Sequence, residues 1–307
     1  MNGGAAGAAP GWRAYGHLGV VYLVWGSVYL TVKIAITQPG GFAVFQLQAT
    51  RLLLGGALLG AFAAFTSGFR ITNGRDVAVC AAGGILLWVG GNSLAAIALQ
   101  DLPSGLVAMA IGTVPLWTVA AQALIERRRP SYGRMAALGV GFIGLGFIIV
   151  PLLGAAGGRH LGAPSVTSVV ALLLAPLLWV GGTLVQRGLR GEMDSVVAAS
   201  FQLLFGGLGA LAVMLLQGDH GVASEPLRPV AILAMLYLAV VASAVSFRSY
   251  LIAVRSLPAH IVSTFAYVNP VVGLALGWLV LGEEPALSAL LGMAIILASV
   301  GLLLTRR

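Results

Sequence analysis

The feature that most constrains this chain is a succession of long apolar runs, separated by short stretches that contain Gly, Pro or charged residues. We place these runs at 17–37, 41–65, 76–99, 103–125, 131–153, 165–188, 195–216, 229–252, 258–281 and 285–305. A run of about 20 apolar residues crosses the hydrocarbon core of a bilayer as a helix. Only a helix satisfies its backbone hydrogen bonds within one such segment. The sequence therefore predicts an all-α, polytopic membrane protein with ten transmembrane helices.

Composition agrees with a bilayer as the surrounding solvent. Charged residues make up 8% of the chain, against roughly 25% in soluble globular proteins. The net charge of +8 does not indicate nucleic-acid binding, because the basic residues recur in short clusters between the apolar runs. A single cysteine, Cys80, excludes an intrachain disulfide and a metal site built from cysteines. We expect no metal and no cofactor.

The basic residues between the runs predict an orientation. With the N-terminus in the cytoplasm, the outward segments hold only Arg159 and Arg228. The cytoplasmic segments hold Arg13, Arg70, Arg75, Arg127, Arg128, Arg129, Arg134, Arg187, Arg190, Arg255, Arg306 and Arg307. This asymmetry follows the positive-inside rule. It predicts a bacterial inner-membrane protein with both termini in the cytoplasm, and we expect the small, polar stretch 1–16 to be disordered there.

An internal repeat is the most specific signal in the chain. The stretch that begins at Leu102 aligns without a gap on the stretch that begins at Leu257. The prolines that coincide are Pro103 with Pro258, Pro115 with Pro270, and Pro130 with Pro285. The repeat predicts two five-helix halves, 17–153 and 154–307. Because five is odd, the second half is inverted, which is typical of transporters with a substrate site near the midplane.

Three motifs resemble a known family. WGSVYLTVK, LPSGLVAMAIGTVPLW and NPVVGLALGWLVLGEEPALSALLGMAIILASVGLLL resemble the EamA-type transporters of the drug/metabolite transporter superfamily. Length and tryptophan placement are similar to those of bacterial aromatic amino-acid exporters. The resemblance covers nearly the whole chain and implies a central cavity between helices 1–4 and 6–9, with helices 5 and 10 to the side. It implies a small-molecule substrate, with amino acids as the expected class. The first half departs from the family at 126–129, where many members have a Gly-Glu pair.

Aromatic and polar residues deep in the runs are the candidates for a substrate site. Four tryptophans lie near the middle of their runs, where a lipid-facing indole would leave its N–H unpaired; cavity lining and core packing both remain open for them. The full set of candidates is Trp25, Tyr29, Trp88, Asn92, Trp117, Trp179, Gln202, Ser246, Tyr267 and Asn269. Trp25 and Trp179 occupy matching positions of the two halves. Pro115 and Pro270 interrupt helical hydrogen bonding, which predicts hinges or kinks.

Apart from Arg134 and Arg187, at the edges of their runs, three basic residues lie inside the runs. Lys33 and Arg248 are close enough to a span end to extend their charges toward water. Arg51 is deeper, and it could either meet a substrate carboxylate or hydrogen-bond helix carbonyls. No Asp or Glu lies in the interior of a run. Since proton-coupled transporters usually rely on such residues, we expect facilitated transport without proton coupling.

Several alternatives remain open at this level. Within transport, drugs or amines and nucleotide-sugar-like metabolites compete with amino acids as the exported substrate. A remote alternative is an intramembrane enzyme, which would need paired aspartates, a Ser–His pair or an HExxH motif, and the interiors of the runs contain none of these, since their histidines lie only at the edges. A passive channel or a scaffold is the third possibility. The sequence does not specify an oligomeric state.

Overall fold

A computed structural model describes residues 12–66, 70, 73–127, 129–155, 164–189, 193–218 and 226–305. The regular structure of this part of the chain is helical. The helices of the first half are α1 (Trp12–Thr37), α2 (Val44–Thr66), α3 (Gly74–Asp101), α4 (Ser104–Ile125) and α5 (Tyr132–Ala155). Those of the second half are α6 (Val166–Val185), α7 (Ser195–Leu216), α8 (229–256), α9 (Phe265–Leu281, preceded by the short turn Ala259–Val262) and α10 (Leu287–Thr305).

Eight of the described helices are long and apolar enough to cross a membrane, and α9 and α10 are shorter apolar helices. The prediction of an all-helical, multi-pass membrane protein is thus confirmed. The first helix begins at Trp12, five residues before the predicted start of the first run. The rest of the stretch expected to be disordered, 1–11, lies outside the described residues.

Eight helices form a ring. Each packs against the next in the order α1, α8, α2, α7, α3, α6, α4 and α9, and α9 returns to α1. If each helix is replaced by its counterpart in the other half, α1 by α6, α2 by α7 and so on, every helix keeps the same neighbours around the ring. Helices α5 and α10 pack mainly on each other, and Val140, Ile143 and Phe147 of α5 are exposed. The ring therefore encloses an interior from which α5 and α10 are absent.

Small residues bring α2 and α7 together at one side of the ring. A Cβ on Gly56 would lie 2.9 Å from the Cγ of Leu204, and a Cβ on Gly207 would lie 2.8 Å from the Cγ of Leu53. The Ser200 hydroxyl donates a 2.8 Å hydrogen bond to the carbonyl of Gly56. Close backbone approach of this kind is the usual means of helix association in a membrane. This seam fixes the two halves against each other opposite α4 and α9.

Three ring helices are irregular. Helix α3 contains a π-helical stretch at Ile85–Asn92, and α8 contains one at Tyr237–Val245. In each, a serine hydroxyl bonds the carbonyl five residues earlier, from Ser93 to Trp88 and from Ser243 to Leu238. Helix α4 is interrupted between Ile111 and Val114. Irregularities of this type often occur at functional sites, and those of α3 and α8 occupy equivalent helices of the two halves.

The two ends of the ring differ. At one end, which we call the Glu283 end, α1, α3 and α9 finish and α4 begins. There α1 packs on Ser93–Asp101 of α3 and on Ser104–Ile111 of α4, across the ring. At the other end, the Ile125 end, α4 finishes and packs mainly on α6. Contacts across the ring therefore close the Glu283 end, whereas at the Ile125 end α4 has moved away from α9.

Candidate functional site

An ion pair links the two halves at the Glu283 end. The Lys33 Nζ lies 3.4 Å from Oε1 of Glu283, and it also donates a 2.6 Å hydrogen bond to the carbonyl of Leu102. The Ser104 N–H and hydroxyl each donate to the Glu283 carboxylate at 2.8 Å, and the Gly105 N–H donates at 3.2 Å. The carboxylate thus lies at the positive N-terminus of α4, where a negative charge is stabilised. Glu283 of the second half therefore binds both α1 and α4 of the first half.

The surroundings of Glu283 favour its ionised form. Burial raises the pKa of this carboxyl, but the hydrogen bonds from Ser104 and Gly105 and the charge of Lys33 outweigh it. The pKa of Glu283 therefore lies below the ordinary value of a glutamate. The ion pair is mostly buried, since the side chains of Lys33 and Glu283 are 18% and 12% exposed.

Helices α4 and α9 touch along only part of their length. A Cβ on Gly112 would lie 2.7 Å from the Cγ of Pro270, and a Cβ on Gly105 would lie 2.9 Å from the Cα of Leu274. Pro270 thus occupies a notch at the interruption of α4. Beyond this contact, toward the Ile125 end, α9 packs on α1, where the Tyr22 hydroxyl bonds that of Thr264. The second part of α4 instead follows α6.

Trp25 of α1 has partners on its two ring neighbours. Its indole N–H donates a 2.8 Å hydrogen bond to the hydroxyl of Ser246 on α8. Its ring lies 5.2 Å from that of Tyr250 and 5.3 Å from that of Phe265, measured between centroids. Two predicted site residues, Trp25 and Ser246, are therefore brought together. The aromatic cluster around them combines apolar surface with a hydroxyl group.

Trp88 and Trp179 form a second aromatic pair. Their ring centroids are 5.7 Å apart with an interplanar angle of 77°, so the rings pack edge to face. The Trp88 indole N–H is buried without a hydrogen-bond partner in the described part of the chain. Trp179 packs against α3 and Trp25 packs against α8 and α9, so the two repeat-related tryptophans have separate partners.

A polar cluster lies between α2 and α3. Arg51 donates from Nε to Oε1 of Gln48 at 2.6 Å and from Nη2 to Oδ1 of Asn92. The Gln48 amide donates to the carbonyl and to Oδ1 of Asn92, at 3.2 and 3.1 Å. Tyr29 of α1, a predicted site residue, is half-buried against the apolar core. Asn92, also a predicted site residue, therefore belongs to one cluster with the buried cation Arg51.

The remaining candidates are distributed over the bundle. Trp117 packs edge to face on Phe142 of α5, and its indole N–H has no partner among the described residues. Oδ1 of Asn269 is likewise buried without a described partner. The Tyr267 hydroxyl donates to the carbonyl of Val300 on α10, away from the ring.

Gln202 and the two prolines lie at helix contacts and helix ends. Gln202 contacts the thiol of Cys80, and its backbone lies against Gly84, so it belongs to the α3–α7 seam. Pro115 lies in the first turn of the second part of α4, where a proline is tolerated, and the interruption itself is at Gly112–Thr113. Pro270 does lie inside its helix.

Sequence reasoning missed the residues of the ion pair. Lys33 could be explained by extension of its side chain to water, and Glu283 lies between two runs. A signal was present in the repeat, because the Gly-Glu pair occurs only in the second half. Within the described residues, no group of three or more His, Cys, Asp or Glu side chains could hold a metal ion.

Comparisons with known proteins agree on a family. The model of the EamA-like transporter family matches residues 16–150 and 166–305. The uncharacterized inner membrane transporter YedA of Escherichia coli K12 is 28% identical over 93% of this chain and 89% of its own length. A probable terminal-alkyne amino-acid exporter of Streptantibioticus cattleyicolor is 26% identical over 96% of this chain and 94% of its own. A solved crystal structure with 20% identity covers 95% of this chain and 96% of its own, with a TM-score of 0.59, and shows the same fold.

Proposed function

This chain belongs to the EamA-like transporter family, and on that premise we propose that it exports amino acids or similar small metabolites by alternating access. The family makes it a membrane transporter; the substrate class, the direction and the mechanism are our proposal. An amino-acid exporter among the relatives supports the substrate class. An inner membrane transporter among them supports a place in the bacterial inner membrane.

The architecture that serves this function consists of ten transmembrane helices in two inverted five-helix halves, 17–153 and 154–307. Two features support the inversion. The sequence repeats over the second part of each half, and the ring order is unchanged when the halves are exchanged. Such halves can exchange conformations, so that a central site opens to one side and then to the other.

The observation that carries the proposal is the difference between the two ends of the ring. Lys33, Glu283 and Ser104 join both halves at the Glu283 end, whereas α4 and α9 separate toward the Ile125 end. A passive channel would need an opening at both ends at once. Closure at one end and separation at the other is what one state of an alternating-access cycle requires.

The arginine count gives this state a direction. It places the Ile125 end in the cytoplasm, so the ring would receive substrate from inside the cell. Reorientation would then break the contacts of Glu283 and release the substrate outside. Because the interiors of the runs carry no carboxylate, we propose that this cycle runs down the substrate gradient without a proton.

Transport into liposomes tests the proposal directly. Purified protein is reconstituted, and counterflow of radiolabelled amino acids, amines and a nucleotide sugar is measured against protein-free liposomes. We expect saturable counterflow of one or more amino acids. Counterflow of amines alone would show that the substrates are amines and not amino acids. A lack of exchange with any compound would refute the transport mechanism.

A further inference from the structure

We infer that Arg51, with Asn92 and Tyr29, forms a subsite for the carboxylate of the transported molecule. This inference rests on the proposed function and adds the chemical group that the ring recognises. The cluster lies on the Glu283 side of the interior. Arg51 is seven residues from the start of α2 at Val44, or about 10 Å along the helix axis. It is therefore deeper than the ion pair of Lys33 and Glu283.

The ring order shows that these side chains point into the interior. The ring neighbours of α2 are α7 and α8. Arg51 nevertheless bonds Asn92 of α3, and α2 also approaches α1, the helix that carries Tyr29. Since α2 approaches both α1 and the Ser93–Asp101 part of α3 directly, these side chains lie where the interior of the ring narrows. Asn92 and Tyr29 are half-buried, whereas Arg51 is 2% exposed. Asn92 and Tyr29 thus border the interior, and the guanidinium of Arg51 is buried behind them.

The charge of Arg51 has no counter-charge in the described part of the chain. Both of its hydrogen bonds go to neutral amide oxygens, those of Gln48 and Asn92. Glu283, at this end of the ring, is already paired with Lys33. A buried, uncompensated charge destabilises a membrane protein, so an intramembrane arginine in this setting indicates function. An anionic group entering the interior would supply the missing charge.

The chemistry of the cluster fits a carboxylate. A guanidinium presents a planar fork of donors that matches the two oxygens of a carboxylate. The amide of Asn92 and the hydroxyl of Tyr29 offer further hydrogen bonds at the border of the interior. Trp25 lies four residues before Tyr29 on α1, which places both on one face of the helix. A substrate held by its carboxylate would therefore direct its remainder toward the aromatic cluster of Trp25, Tyr250 and Phe265.

Matched substrate pairs test the inference. Counterflow is measured for leucine, phenylalanine and threonine and for the carboxamide of each, with wild-type, Arg51→Lys and Arg51→Gln proteins. In the wild type we expect the acids to be preferred. In Arg51→Gln we expect transport of the acids to fall at least about tenfold while transport of the carboxamides changes little. Arg51→Lys keeps the charge and should retain part of the preference.

Asn92→Asp provides a test that does not require Arg51 to be removed. An aspartate here would neutralise Arg51 from within the protein, so thermal stability should be maintained or rise. Transport of the acids should fall at least about tenfold, because the charge is already compensated. Transport of the carboxamides by the same variant is the internal control, because binding of an uncharged group does not depend on the charge of Arg51.

The outcomes separate this inference from the proposed function. If the wild type exchanges no amino acid, the proposed substrate class is wrong and the inference falls with it. If the wild type exchanges amino acids and folded Arg51→Gln keeps the preference for acids, the inference alone is wrong. If Arg51→Gln does not fold, Asn92→Asp decides: unchanged transport of acids by that variant would overturn the carboxylate subsite.

Discussion

Lys33 and Glu283 form an ion pair that joins the two halves at the Glu283 end. The residues aligned with them in the repeat cannot form an equivalent ion pair at the Ile125 end. In the alignment of the halves, Lys33 corresponds to Arg187 and Glu283 corresponds to Arg128. Both equivalents are basic, so these positions cannot attract each other. The pseudo-symmetric architecture therefore contains an asymmetric closure, which stabilises the Glu283 end.

We expect Glu283→Gln to lower the thermal unfolding midpoint more than Lys33→Gln does. Glu283 accepts three hydrogen bonds at the start of α4 in addition to its ion pair with Lys33. Hydrogen bonds to a charged group contribute about 1.5–3 kcal/mol each. Glu283→Gln weakens three of them together with the ion pair, whereas Lys33→Gln loses the ion pair and one hydrogen bond to the carbonyl of Leu102. Glu284→Gln, at an exposed neighbouring position, is the control and should change little. Equal losses for Glu283→Gln and Lys33→Gln would contradict this prediction.

The contribution of Glu283 should persist to mildly acidic pH. Its folded pKa is lowered by Ser104, Gly105 and Lys33 despite burial. Stability from a depressed carboxyl pKa is fully present above the unfolded value, about 4.3, and is lost as pH falls through the folded value. The difference in unfolding midpoint between wild type and Glu283→Gln should therefore be constant from pH 7 to about pH 5. A difference that shrinks between pH 7 and pH 5 would show that the pKa is raised.

We expect Trp25→Phe to reduce transport severalfold and change thermal stability little. The phenyl ring keeps much of the contact with Tyr250 and Phe265, and the hydrogen bond to Ser246 is lost. Trp278→Phe is the matched control, because Trp278 is 59% exposed near the Glu283 end. Transport and unfolding are measured on the same purified variants. If transport falls only in proportion to stability, Trp25 serves packing alone.

Thiol labelling tests the orientation. Single cysteines replace Gln38 and Glu284 at the Glu283 end and Ser131 near the Ile125 end, in a Cys80→Ala background. All three positions are exposed. An impermeant maleimide applied to intact cells should label the first two and leave the third protected. Labelling of Ser131→Cys alone would reverse the orientation drawn from the arginines.

Collapse of the pH gradient tests the energy coupling. We expect amino-acid flux in liposomes to be retained after an ionophore has dissipated the gradient, since the apolar runs carry no acidic residue in their interiors. Flux without an imposed pH gradient serves as the reference. A loss of flux that is restored by a new gradient would demonstrate proton coupling.

Local sequence signals predict the helices well and the contacts between them poorly. The run predicted at 195–216 coincides with α7, and the run at 41–65 differs from α2 by a few residues, because apolar length and helix-ending residues are local. The pairing of Lys33 with Glu283 joins positions 250 residues apart in the chain and depends on how the halves pack.

The candidate site was predictable by residue type only. Depth within a run singled out Trp25, Asn92 and Ser246, all of which lie in polar or aromatic clusters of the ring helices. The same criterion selected Tyr267, whose hydroxyl turns to α10. Which face of a helix a residue occupies also depends on the π-helical stretches of α3 and α8. The π-helical stretches change which residues face the interior, and they depend on packing between helices that a single sequence does not reveal.

In the proposed alternating-access cycle, the ion pair at the Glu283 end would determine which side the empty carrier faces. A bias of about 1–3 kcal/mol between two states corresponds to a population ratio of about 5–150. Most unloaded molecules would then rest with the Ile125 end accessible, and a minority would present an empty site at the other face. This bias cannot change the final distribution of substrate across the membrane, because both faces share one equilibrium. It shortens the wait before the next molecule is taken up from the side on which the carrier rests.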